Sequence, residues 1–373
     1  MVSSQGWRIE AYVHPDDFHQ DVKRLVEGAE ARSIQLGAVW YKNLIQTVYS
    51  SDKGVAFYTL RGDGFPMAVM PVRVCNGRFG KVLESLSNYY SSIYSPVFSD
   101  TLEARDVVRF LDGIRDEHGS ISILRFDPMD PESPEFRILM DALRMGGYAP
   151  FPFFCFGNWY LEVPGDWAAY WADREGILRN TVKRMERKLQ KEGGALELVT
   201  GGAELEQAIE DFNQVYAASW KHPEPYPDFM PGLVRACADQ GWLRLGIVRL
   251  RGIPIAAQVW IVAHGRAEIY KLAYHEDYKS YAPGKVLSAF MMRHVIENDR
   301  VSQVDYLTGD DPYKKSWMSN RRERWGIVAY NPRTPLGLTG LIREGLGRLA
   351  KRLVSGLRRK PALQIADQAA GQS

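Results

Sequence analysis

Between Tyr270 and Trp317 the chain gathers side chains that can hold an anion, move a proton and stabilise a developing negative charge. Pro283-Gly284-Lys285 opens an apolar helical run. The first N–H groups of such a helix are unpaired and carry positive dipole, so with Lys285 beside them they suit a pyrophosphate or carboxylate; Pro-Gly also simply starts helices. Tyr281 and Lys315 are the further candidates for the same anion. Asp305 interrupts the apolar strand Val304-Asp305-Tyr306-Leu307. A carboxylate on a buried strand is either paired with Arg or Lys or used, as a general base on an amine or to orient the acceptor. After the Asp311-Pro312 turn come Tyr313, Lys314 and, past Lys315, Trp317. A tyrosine there can give up a proton or hold a carbonyl, and a lysine can steady an oxyanion or bind phosphate; the alternative is a solvated basic loop with Trp317 as packing. Gln258 shares a strand face with Ala256 and Trp260. It, Tyr270 and Tyr274 either line an acceptor cleft or fill core.

Other chemistries lack their residues. There is no HxxH, HxH or Cys/His cluster for a metal, no GxSxG and no P-loop. The three cysteines, Cys75, Cys155 and Cys237, are far apart and odd in number, against a disulfide framework. Residues 1–10 carry neither a basic n-region nor an apolar h-region, and no apolar run reaches bilayer length. A cytoplasmic location is expected.

These residues need a scaffold, and the sequence describes one twice. Leu60-Arg61-Gly62, Pro66, Ala68 and Gly77-Arg78 recur as Leu250-Arg251-Gly252, Pro254, Ala256 and Gly265-Arg266, with eleven positions from proline to glycine in both. Internal similarity of this kind signals a duplicated unit. Apolar periodicity predicts, in the first copy, helix over 36–46, strands over 55–60, 67–74 and 81–86, helix over 101–118, strand over 121–126, helix over 134–145 and a joining strand over 159–163. In the second copy it predicts a basic amphipathic helix through Leu178, Val182, Met185 and Leu189, then a strand over 196–199 and helices over 203–220 and 231–240. Strands follow over 243–250, 255–263 and 267–274, then helix over 285–298 and strands over 302–307 and 325–330. At 373 residues, 45% hydrophobic and 25% charged, the chain has room for two such units. The expectation is an α+β fold: a tandem pair of lobes, each a mostly antiparallel sheet with flanking helices, over 1–160 and 161–333, followed by a basic tail over 334–373.

The late copy resembles the GNAT acyltransferase superfamily, and within it the FemAB-like branch found with bacterial polysaccharide gene sets. The resemblance rests on the basic helix Leu178–Leu189, the Gly252–Gln258 hairpin, Tyr270–Gly284 and Val304–Trp317, and covers about residues 165–333. The early copy is similar to the degenerate first lobe of that branch. The resemblance implies acyl transfer to an amine, with Asp305, Tyr313 and Lys314 catalytic and Tyr313 able to protonate a leaving thiolate. It further implies Tyr281, Gly284, Lys285 and Lys315 on the donor, and Gln258, Tyr270 and Tyr274 on the acceptor. The resemblance does not say which acyl group or which amine; the first expectation is an acyl-CoA donor, first of all acetyl-CoA, and as acceptor an amino sugar or lipid-linked envelope or exopolysaccharide precursor. The absence of a long heptad pair lowers the alternative, aminoacyl-tRNA-dependent transfer to a peptidoglycan precursor. A non-catalytic surface-binding role is the other alternative. Arg144-Met145-Gly146-Gly147-Tyr148-Ala149 has the lettering of the acyl-CoA loop of this superfamily but stands at a helix end, where a Gly-Gly C-cap explains it.

Charge is uneven. Gly337–Lys360 holds seven Lys/Arg against one Glu in a chain whose net charge is +2, so the body is acidic and the tail basic. Leu338, Ile342, Leu346, Leu349, Leu353 and Leu357 recur at helical spacing, with glycines that weaken the helix in isolation. Two outcomes are open: residues 336–360 bind an anionic membrane surface, or the leucine face docks on the second lobe. The basic helix Arg179–Lys191 likewise faces either a polyanionic ligand or water; no aromatics interleave it, so base stacking on nucleic acid is not expected.

Overall fold

The computed structural model describes residues 6–77 and 80–358, without the side chains of 349–358. The first half runs β1 (Arg8–Tyr12), α1 (Gln20–Glu30), α2 (Ala38–Thr47), β2 (Val55–Gly62), β3 (Phe65–Gly77), β4 (Gly80–Ser85), β5 (Val97–Phe98), α3 (Ala104–His118), β6 (Ile121–Met129), α4 (Pro134–Met145) and β7 (Ala149–Glu162). The second runs α5 (Trp167–Ala172), α6 (Gly176–Lys191), β8 (Gly194–Val199), α7 (Leu205–Ala217), α8 (Phe229–Asp239), β9 (Leu243–Leu250), β10 (Ile253–Ala263), β11 (Arg266–Tyr274), α9 (Pro283–Glu297), β12 (Gln303–Asp305), the single turn α10 (Pro312–Lys315) and β13 (Asn320–Tyr330). Helix α11 (Pro335–Arg358) follows.

The repeated residues mark equivalent hairpins. Asp63-Gly64 and Arg251-Gly252 turn them with both residues at positive φ, the conformation that two-residue hairpin loops require. Along β2 and β3 the register goes from Arg61↔Pro66 to Leu60↔Ala68, and along β9 and β10 from Arg249↔Pro254 to Val248↔Ala256. In each hairpin the residue after the proline, Met67 or Ile255, is the extra one. Proline has no N–H to give the ladder, so an irregularity placed there disrupts least. Each half then makes one parallel pair, β4 with β6 and β11 with β12.

The halves do not close separately. Strand order is β1-β2-β3-β4-β6-β13-β7-β12-β11-β10-β9-β8, with β5 on β3. β13 therefore lies on β6 of the first half, β7 lies on β12 of the second, and the two pair with each other along Asn320–Tyr330. The joining strand expected over 159–163 begins at Ala149. Pro150 and Pro152 stand within it, opposite Ala329 and Ile327. Helices α1 and α5 and strand β1 were not expected. Gly146 and Gly147 close α4, as a C-cap should.

One core lies on the outer face of each half, and a third is shared. The shared core packs Trp40, Leu44 and Phe57 of the first half with Phe212, Phe229 and Ile247 of the second. Phe229 stacks on Tyr90 at 3.9 Å and meets Trp40 edge-on at 5.2 Å. Truncating Trp40, which is 1% exposed, to alanine is expected to cost about 3–5 kcal/mol. Because the core is shared, urea unfolding followed by circular dichroism and by fluorescence should keep one common, lowered midpoint; two separated transitions would overturn this.

Candidate active site

In the first half the parallel pair is laced shut. Ser85 and Ser87 hydroxyls donate to Asp127 O at 2.8 and 2.6 Å, and Asp127 N donates back to Ser85 Oγ at 3.1 Å. In the second half, pairing of β11 with β12 ends at Glu268↔Asp305, while β11 runs on to Tyr274. The strands part, and the edge of β11 faces a cleft.

A buried polar network turns the chain away at that point. Asp305 Oδ1 accepts from Leu307 N at 2.7 Å and Asn158 Nδ2 at 2.6 Å, and Oδ2 is ion-paired with Arg322. Arg322 Nε also donates to Asn158 Oδ1 at 2.6 Å, and Asn158 Nδ2 donates to Leu307 O at 2.7 Å. Leu307 takes φ 54°, and the loop leaves the sheet. Asp305 is thus placed as a positioning residue rather than the expected base: both oxygens are engaged, and it lines neither cavity of the cleft.

The larger cavity, about 480 Å³, is walled by Leu178, Trp220, Leu272, Tyr274, Ala282–Lys285, Ser288, Tyr306, Tyr313 and Trp317, with Lys279 also lining it. Ala282 takes a left-handed φ of 45°, Pro283 is the first helical residue, and no side chain caps α9. Its N-terminal turn opens on this cavity with Lys285 and Lys279 nearby, so an anion there meets dipole and charge together. Gly284 keeps the turn close to the strand: a Cβ there would lie 3.3 Å from the Tyr274 ring, which would have to give by a few tenths of an ångström. Gln258 holds α9 from behind, donating to Gly284 O at 3.1 Å and Ser288 Oγ at 2.8 Å while accepting from Trp260 Nε1 at 2.9 Å. It is buried behind the cleft, not in it, because its amide completes the polar contacts of the helix start.

The smaller cavity, about 280 Å³, is lined by Tyr89 and Tyr90 of the first half and by Lys221, Tyr270, Lys271, Leu272, Tyr306, Asp311, Tyr313 and Lys314 of the second. Leu272, Tyr306 and Tyr313 belong to both cavities, which therefore meet at these residues. Tyr313 is 44% exposed and stands edge-on to Tyr306 at 5.8 Å. Burial and Asp311 raise its phenol above the usual range, so it stays protonated at neutral pH. Lys314 Nζ is buried against the carbonyls of Thr308 and Gly309 (2.5 and 3.3 Å) and Asp311 Oδ2 (3.4 Å), where it organises the loop. Tyr270 donates to Glu268 Oε2 at 3.0 Å and forms the floor.

The structure thus brings together Tyr270, Tyr313 and Lys314 on one side and Tyr274, Gly284, Lys285 and Tyr313 on the other. Tyr281 and Lys315 line neither cavity. Tyr281 donates to Glu192 Oε2 at 2.6 Å under Lys188, and Lys315 is exposed. Gln258, Tyr270 and Asp305, the polar residues that interrupt apolar strands, do not share one cleft floor: their side chains serve three different places. Tyr89, Tyr90, Lys221, Lys271 and Tyr306 were missed. Lys271 breaks the apolar strand Ile269–Leu272 just as Asp305 breaks its own, and that signal could have found it. Outside the cleft, Arg179, Lys183, Arg184, Arg187, Lys188 and Lys191 of α6 form no ion pair among the described residues.

Comparison with known proteins bears on the fold. Residues 178–315 match the family model for the acetyltransferase (GNAT) domain. Among solved structures, FemX is similar at 11% identity and a TM-score of 0.60 over 86% of this chain and 97% of that one. A C-terminal domain from Agrobacterium fabrum, assigned as lysylphosphatidylglycerol synthetase, is similar at 15% identity and 0.51 over 86% and 94%. A tandem GNAT protein from the clavulanic acid biosynthesis pathway is similar at 10% and 0.50 over 86% and 98%. No curated protein matches by sequence. The chain has a GNAT-type, FemAB-like acetyltransferase fold. What the chain shares with these proteins is the fold, and residues 178–315 are similar to the acetyltransferase (GNAT) domain.

Proposed function

We propose that the protein transfers an acyl group from acyl-CoA, first of all acetyl-CoA, to the amine of an amino sugar or sugar-linked envelope or exopolysaccharide precursor. The observation that carries this reading is the meeting of two chemically different cavities at Tyr313. The α9 N-terminus, Lys285 and Lys279 fit the phosphates of the donor, and the open edge of β11 at Leu272–Tyr274 offers backbone groups to its arm. A bound thioester supplies an activated acyl group. The tyrosine-walled cavity suits the face of a sugar ring, whose C–H groups pack on aromatic rings while its hydroxyls find polar tips. Tyr313 Oη keeps its proton at neutral pH and sits where a leaving sulfur needs one. Lys314 and the Asp305–Arg322–Asn158 network hold the loop that carries Tyr313.

The test is calorimetric titration with acetyl-CoA, then thiol release across a panel of acyl-CoAs and amino sugars. Saturable donor binding and amine-dependent thiol release are expected. Neither being seen, with label instead passing from aminoacyl-tRNA, would overturn the acyl-CoA reading in favour of the aminoacyl one.

The tail adds a location. Helix α11 docks on β6 of the first half and on β13, the second-half strand paired with it, with glycines at the close approaches. A Cβ on Gly340 would come within 2.5 Å of the Tyr330 ring, and one on Gly337 within 2.0 Å of Asn331 O. Those glycines serve close approach. Arg348 donates to Pro152 O at 2.9 Å and covers Phe151. Leu338, Ile342 and Leu346 are left exposed at 45%, 54% and 63%, one stripe along the helix. No described helix is long and apolar enough to cross a membrane. We propose that this stripe, with the Lys and Arg residues of 343–360, rests on an anionic membrane surface near a lipid-linked acceptor, where each basic residue adds about 1 kcal/mol. Full-length chain should pellet with anionic vesicles at low salt and the chain ending at Arg333 should not; equal pelleting would end the proposal.

A further inference from the structure

Three lysines line the smaller cavity, and their surroundings differ. Lys271 Nζ is 2.6 Å from Glu224 Oε1, inside a ring of Tyr89, Tyr90 and Tyr216. Lys314 is held by loop carbonyls and by Asp311. Lys221 has no carboxylate within ion-pair distance among the described residues. Its ammonium stands 5.6 Å from the centre of the Tyr216 ring and 5.7 Å from that of Trp220. Three cations against two carboxylates leave this cavity with an uncompensated positive charge, and the unbalanced one is Lys221. A half-buried cation without a counter-charge costs stability, and a ligand that brings the missing charge recovers that cost on binding. Trp220, the preceding residue, lines the larger cavity, so Lys221 stands beside the junction.

We propose that the acceptor carries an oxyanion, carboxylate or phosphate, in addition to its amine, and that Lys221 is the residue that seats it. This rests on the acyl-transfer reading for the amine's role but not for the anion seat itself. The organic body of the acceptor then lies between Tyr89 and Tyr90 on one side and Tyr306 on the other, and its amine reaches the junction at Tyr313. Lysine is a point-charge donor and suits either oxyanion. Burial and the neighbouring Lys271 push the Lys221 ammonium down to about 8. Around it stand Lys271 of β11, Glu224 of the loop after α7, Tyr216 of α7, and Asp311 and Lys314 at the start of α10. An anion binds the protonated form, so affinity should be full below pH 8 and fall above it.

The experiment is calorimetric titration of the full chain, without donor, with glucosamine, glucosamine 1-phosphate and muramic acid. At neutral pH the wild type should bind at least one anionic sugar about 10–100-fold tighter than glucosamine, the worth of a charge-assisted contact. The phosphate and carboxylate arms identify which oxyanion is meant. Lys221→Met should abolish the preference and Lys221→Arg should retain it at pH 9, where the wild type loses it. Equal affinity for charged and neutral sugars in the wild type, or an unchanged preference in Lys221→Met, overturns the proposal. Thiol release from acetyl-CoA, read in parallel, separates the two readings. A Lys221-dependent preference without thiol release sustains the anion seat and rejects the donor, whereas release equally fast with neutral and anionic amines rejects the seat alone.

Discussion

Tyr313→Phe is expected to lower turnover by about 10²-fold or more while leaving folding and donor affinity near those of the parent. The phenol lies where the two cavities meet, and no protein hydrogen bond engages its hydroxyl among the described residues. Removing that hydroxyl therefore breaks no internal contact. The ring keeps its edge-on packing against Tyr306. The donor's phosphates are assigned to the start of α9, so the KM for acetyl-CoA should move little while kcat falls. That split is the mark of an interaction made mainly in the transition state. Burial raises the phenol's pKa, so the wild-type pH profile should show no limb from Tyr313 below pH 10. Thiol-release kinetics on both proteins, with melting curves, decide the matter; an unchanged kcat removes Tyr313 from the chemistry.

Much of the scaffold was legible because local rules agree with one another. The turn glycines, the Pro66 and Pro254 irregularities and the apolar alternation each mark the same two hairpins, and the parallel pair follows in each half. What a sequence hides is pairing at a distance. That β13 would lie against β6, and that Trp40 would pack on Phe229, depends on surfaces made by elements far apart in the chain. Tyr89 and Tyr90 escaped notice for the same reason: they read as an ordinary loop until Lys221 and Lys271 are brought to them.

The site was legible in kind more than in role. A polar residue within an apolar strand does mark something, and Gln258, Lys271 and Asp305 all answer to that description. The pattern cannot say which face of the sheet, or which partner, each will meet. Gln258 braces α9, Lys271 lines the cavity and Asp305 turns the chain. Helix starts were more informative, because Pro283-Gly284 constrains the backbone directly and the cavity opens on it.

The second large effect follows from that change of role. Asp305→Asn is expected to destabilise the fold by about 3 kcal/mol, the lower end for breaking a buried pair because Arg322 is partly exposed. For a chain of this length that is roughly 4 °C in melting temperature. Leu307 N and Asn158 Nδ2 both donate to Oδ1 of Asp305, and Arg322 pairs with Oδ2. An asparagine oxygen in the Oδ1 place keeps the first two, but its NH₂ then faces the Arg322 guanidinium, which loses its counter-charge and its acceptor. The turn at Leu307 then loosens, and with it the loop that holds Lys314 and Tyr313, so activity falls along with stability. Arg322→Met should cost a similar amount, and the double variant should be little worse than either single one, since both remove the same pair. A general base behaves differently: its asparagine variant keeps the parent's melting curve and loses only turnover, and Arg322→Met does not mimic it. Melting curves and thiol release on the three variants distinguish the two, and an unshifted melting temperature with turnover lost would return Asp305 to the chemistry.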